Sequence, residues 1–295
     1  MSVNDAIAAL PAYKSLTSFI KAENKKALED TVSEFKDLAK KSESQIEDFL
    51  WDTYNAIFAV AKQTSPENQT PLVDLLQRLR GSTVTASDGQ PLKLNSQVVW
   101  KDLPTFGWVA RDLWNFGEYT HLMQQANMPS KYRCLVPENS PQLTHPDAFD
   151  TSASAEEKAS WINLSAFAAQ LTARADLTNP QDPFDFSLYG LWALRSAFEE
   201  EQAADAAEGQ TIATRLAYQW TVHAKDALYK LSTKSRDFEG KSGKPGSKFA
   251  DREWKGLNEE RWQSWIDGFA AVSQSTSDKE VSALAKEAAE KMKSK

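Results

Sequence analysis

A chain of 295 residues, 41% hydrophobic and 25% charged, has the make-up of a folded protein with a sizeable core, built as one large domain or two small ones. Its net charge of −7 argues against a phosphate backbone as partner, and its single cysteine, Cys134, excludes an internal disulfide. No apolar run approaches the roughly 20 residues that a membrane span needs.

From Asn4 to Lys41 the sequence is rich in Ala, Leu, Lys and Glu. Ala27, Leu28, Phe35 and Leu38 mark a narrow apolar stripe, so residues 1–41 read as surface helices. Ser42 to Gln45 has the form of a capping box, and Ile46, Phe49, Leu50, Ile57, Val60 and Ala61 follow at helical spacing. Thr70-Pro71 opens a short helix that Gly81 closes. Between residues 82 and 100 the helical period is lost. Val84, the turn pair Asp88-Gly89, Leu92 and Leu94 fit a small hairpin, and an irregular excursion fits equally well. From Leu103 to Met128 the period returns through Phe106, Val109, Leu113, Phe116, Thr120 and Met123. Gly107 and Gly117 within that helix suggest that another element passes close to it. Pro129, Pro137, Pro141 and Pro146 punctuate residues 129–153, a segment long enough to be a lid or a flexible connector; it carries Cys134 and His145.

Three predicted helices follow, with Trp161, Trp192 and Trp220 at their centres. Ser154 and Glu157 form the capping box of the first, which Asn179-Pro180 ends. Leu188, Leu191, Arg195 and Phe198 share a face of the second. Ile212, Leu216, Trp220, His223, Ala227 and Leu231 line the third, read as one helix. Residues 232–248, with Gly240, Gly243, Pro245 and Gly246, read as a mobile polar linker. Trp254, Asn258, Trp262, Trp265, Ile266 and Phe269 form an aromatic helix face, and Ser277 to Glu280 caps a last helix ending in lysines.

Recognised catalytic patterns are missing. Gly240-Lys241-Ser242 resembles the end of a phosphate loop, but Ser235 stands where that loop needs glycine. The three histidines, His121, His145 and His223, are too scattered for a local metal signature, so neither metal nor cofactor is expected. Acidic runs such as Glu199-Glu200-Glu201 read as solvated helix ends. The least ordinary feature is polar residues on stripes that ought to be buried. Asn163 and Arg174 lie beside Trp161, Arg195 shares a face with Phe198, and His223 lies between Trp220 and Ala227. An internal network tying helices together explains them, and so does a ligand pocket in which Arg195 binds a carboxylate or phosphate while His223 hydrogen-bonds.

Two stretches carry a family resemblance. Val99-Trp100-Lys101-Asp102-Leu103-Pro104 followed by Trp108 to Asn115, and Trp161 to Thr172 followed by Tyr189 to Arg195, resemble a filamentous-fungal family catalogued as domain of unknown function 3632, over about residues 45–270. The resemblance implies an intracellular, mostly helical protein and brings no catalytic residues with it.

These observations predict an all-α protein, a single multi-helix bundle-like domain with the excursion near residues 82–100. Residues 1–41 are its surface helices, 42–275 its main domain and 276–295 a charged C-terminal helix. The function expected is non-enzymatic: a cytoplasmic protein-interaction or regulatory domain with a protein partner, and no nucleic acid or membrane. The alternative is a small-molecule binder or cofactor-free enzyme of secondary metabolism, with Asn163, Arg174, Arg195 and His223 around its pocket.

Overall fold

The computed structural model of the protein describes residues 5–21, 25–115, 153–201 and 207–294. Twelve α-helices and one short two-stranded ladder form the regular structure among them, so the protein is all-α. The chain divides into two compact units, Met1–His145 and Pro146–Lys295, and the boundary falls inside the proline-punctuated segment.

In the first unit α1 (Asp5–Ala9), α2 (Pro11–Ile20), α3 (Lys25–Lys41), α4 (Ile46–Gln63) and α5 (Thr70–Arg80) precede β1 (Lys93–Leu94), β2 (Gln97–Val98) and α6 (Phe106–Asn115). Helix α4 is the spine: Leu50, Tyr54, Ile57, Phe58 and Ala61 recur at helical spacing and are buried, and α2 and α6 pack against it. Trp100 is fully buried, with Phe35, Phe49 and Tyr54 around it at ring-centroid distances of 6.1, 6.1 and 6.4 Å. Leu16 of α2 and Phe35 of α3 are also fully buried, so the first 41 residues contribute to this core.

The excursion is a hairpin in two steps. Thr85 and Pro91 bridge around the Asp88-Gly89 turn, and β1 then pairs antiparallel with β2 across Asn95-Ser96. Both turn residues have positive φ, 49° and 71°, as the twist of a two-residue hairpin loop requires.

Some local expectations fail here for identifiable reasons. Ser42 makes no side-chain cap: residues Glu43–Gln45 form a 3-10 turn between it and α4, and its expected partner Gln45 takes the N-cap position of α4 itself. The Glu43 carboxylate accepts from the Ser87 amide and hydroxyl. Helix α5 is preceded by Gln69, whose side-chain amide donates to the Ala61 and Thr64 carbonyls at 3.0 Å each. At Gly107 a Cβ would meet nothing within 4 Å among the described residues, so no close crossing explains that glycine. The rest of the helix expected to reach Met128, with Gly117, His121 and the 129–153 segment up to residue 152, lies outside the described residues.

The second unit is built from α7 (Ala155–Thr172), α8 (Ser187–Phe198), α9 (Ala207–His223), α10 (Lys225–Thr233), α11 (Glu259–Ser275) and α12 (Lys279–Lys293). The Ser154 box is present: its hydroxyl accepts from the Glu157 amide at 3.2 Å and its amide donates to the Glu157 carboxylate at 2.9 Å. Helix α9 packs on α7, α8 and α12, and α11 lies along α12. Gly190 of α8 lets the Trp220 ring of α9 lie close against the helix, since a Cβ there would sit 2.8 Å from that ring. Trp220 is fully buried, whereas Trp161 and Trp192 are only half-buried.

The third central helix proves to be two, broken at Ala224, whose φ of −127° leaves the helical region without any glycine or proline to mark it. Helix α12 is capped by Asp278 rather than Ser277; the carboxylate accepts from the Glu280 and Val281 amides at 2.9 and 3.1 Å.

Candidate functional site

The stretch from residue 234 to 258, between α10 and α11, was expected to be mobile over much of its length, and it is a strap held against the ends of α8 and α11. Gly243 allows its close course, because a Cβ there would collide with the Lys255 carbonyl. The Ser242 carbonyl accepts from the Trp192 indole at 2.9 Å. Arg195, buried near the end of α8, donates to the Ser242 carbonyl at 3.5 Å and the Lys244 carbonyl at 3.3 Å, and its Nε lies 3.9 Å from the Glu200 carboxylate.

Beneath the strap is an ion pair with neither side chain exposed to water. Arg261 meets Glu199 fork to fork, Nε to Oε1 at 2.7 Å and Nη2 to Oε2 at 2.9 Å. Its other donors reach the Gly243 carbonyl at 2.7 Å, the Gly256 carbonyl at 3.0 Å and the Lys244 carbonyl at 3.1 Å. All five guanidinium N–H groups are therefore used. Glu199 also accepts from the Trp265 indole at 2.7 Å and the Gly246 amide at 3.0 Å. The guanidinium carbon sits 5.4 Å from the Trp254 ring centroid and 5.6 Å from that of Trp265, on the faces that attract a cation. Burying two charges costs several kcal/mol each and is tolerated only where hydrogen bonds replace water this completely. Glu199 thus stands as a correction: the first residue of the acidic run is not solvated but 0% exposed.

The four residues expected around a pocket do not gather in one place. Asn163 is half-buried on α7, and Arg174 is exposed just past its end. Arg195 is engaged with the strap. His223 ends α9 and faces an open hollow of about 350 Å³ at the Ala224 break. Lys225, Asp226, Lys291 and Ser294 share that hollow with it, and Asn163, Arg174 and Arg195 do not line it. Burial and the nearby Lys291 hold the His223 imidazole below its usual pKa of 6.5. Among the described residues no group of three or more His, Cys, Asp and Glu side chains is placed to hold a metal ion, and no helix is long and apolar enough to cross a membrane.

The family model described as "Protein of unknown function (DUF3632)" matches residues 54–269, well over half of the chain. The chain belongs to that family. No curated protein matches it, and no solved structure does. The DUF3632 region runs from the middle of α4 to Phe269 of α11 and holds both partners of the buried ion pair, the strap between them and His223.

Sequence reasoning overlooked the key pair of this DUF3632 protein. Glu199 was hidden in a run of three acids. Arg261 had a legible signal: it stands three residues after Asn258 and four before Trp265, hence on the aromatic face of α11, where an unpaired cation would be prohibitively costly. What the network can do chemically is limited. No solvent reaches the guanidinium, its donors are exhausted, and it offers a ligand neither space nor a hydrogen bond.

Proposed function

We propose that this DUF3632 protein is a non-enzymatic helical domain that acts by binding another protein, in a regulatory role in the fungal cytosol. The observation that carries the reading is the Glu199–Arg261 network. The buried charged residues of this region are occupied by one another and by the strap: Glu199 and Arg261 pair with each other, and Arg195 donates to the strap carbonyls. Fungal origin and an intracellular place rest on the family resemblance alone, and a protein partner on the lack of a catalytic pattern in the sequence.

A second reading has one feature in its favour, the hollow beside His223, which has room for a small molecule. The full chain, purified from fungal cells under native conditions, separates the two. A stoichiometric protein that co-purifies, and that rebinds the isolated chain in calorimetry, supports the interaction reading. A small molecule retained at one equivalent, and displaced by substitutions lining the hollow, replaces it with the second.

A further inference from the structure

His223 ends α9 where Ala224 breaks the run of helices, and the last turn of α12 closes one side of the hollow it faces. That turn is held by few polar contacts. Lys225 Nζ donates to the Ser294 carbonyl at 2.8 Å, the Trp262 indole donates to the Met292 carbonyl at 3.4 Å, and the Thr221 hydroxyl meets the Met292 sulfur at 3.8 Å. The last two are at the long end for their kinds.

Among the described residues the charged groups lining the hollow are Lys225 and Asp226 of α10 and Lys291 of α12, and Ala173, just past the end of α7, brings no charge. Glu287, one turn before Lys291, is taken up by Lys291 and by the Tyr218 hydroxyl, both at 2.9 Å. Among the described residues Asp226 is the one carboxylate on the rim; its side chain is 93% exposed and bound to Lys225 at 3.2 Å, so water screens its pull on an imidazolium. The carbonyl end of α9 favours a cation, but burial and the Lys291 charge oppose one, and the opposition prevails.

We infer that His223 is a proton-sensitive latch: a proton taken up in this hollow loosens the last turn of α12 from α9 and α10. The sign follows from linkage. The imidazole titrates lower folded than unfolded, so between the two values the folded chain holds fewer protons. Docking is complete above the free imidazole value of 6.5 and weakens as pH falls through the folded one.

Hydrogen–deuterium exchange on the full chain tests this at about pH 7.5 and about pH 5.5, either side of the free imidazole, with intrinsic exchange rates divided out. Amides of the last turn of α12 should exchange several-fold faster in acid, and His223→Gln should remove the difference. Equal protection at both pH values in the wild type, or an acid loss that persists in His223→Gln, overturns the latch. Should that variant fail to fold, a nuclear magnetic resonance titration of the wild type and of Lys291→Gln decides. The His223 midpoint must lie below that of free imidazole and rise in Lys291→Gln; a midpoint at or above the free value rejects the proposal.

Discussion

Arg261 and Glu199 bind each other and also hold the strap, so losing either leaves a charge buried without its counter-charge. Glu199→Gln or Arg261→Met should therefore lower unfolding stability by about 3–5 kcal/mol. Urea titration followed by helical circular dichroism measures it, and a loss below about 1 kcal/mol would mean that water reaches the pair after all. Two glycines make a sharper comparison. Gly190→Ala drives a methyl into the Trp220 ring and should cost about 1–3 kcal/mol through overpacking. Gly107→Ala, at the start of α6, meets nothing within 4 Å among the described residues and should be neutral or stabilising by up to about 1 kcal/mol. Both sit in helices and look alike in sequence; only the neighbour supplied by the fold separates them.

At the level of elements, helices whose signals are local were legible. Ser154 and Glu157 are three residues apart and satisfy each other without help, so the start of α7 could be read directly. The aromatic face of α11 was equally plain, because Trp262, Trp265, Ile266 and Phe269 recur at helical spacing. Where the backbone takes another course, the local rule lost. Ser42 and Gln45 have the spacing of a box, but a 3-10 turn lies between Ser42 and α4, and Gln45 takes the N-cap position. The strap is the extreme case, since nothing between Ser242 and Gly256 announces that two arginines will collect its carbonyls. Helix α12 depends on Asp278 in the ordinary way, so Asp278→Ala should destabilise it by about 1 kcal/mol. A melting midpoint unchanged by that substitution would show that packing alone fixes where α12 begins.

For the molecule as a whole, each unit has its own buried aromatic centre, Trp100 in one and Trp220 with Trp265 in the other. Residues 146–295 expressed alone should accordingly give a helical spectrum and a cooperative melt. A broad, non-cooperative loss of signal from that fragment would sink the idea of an independent second unit. The candidate site was legible only in part: His223 was singled out and does face a hollow, but its neighbours Lys225 and Lys291 come from elements whose meeting no spacing in the sequence foretells.

The buried pair also imposes an order on synthesis. Glu199 leaves the ribosome 62 residues ahead of Arg261. At the usual pace of translation the carboxylate waits about 3–12 seconds before its counter-ion is made. During that interval burying this end of α8 would leave a carboxylate without its counter-ion, which is costly, so closure there is disfavoured until Arg261 is made. Final locking of the C-terminal half is thereby deferred until the tryptophan-rich helix has emerged.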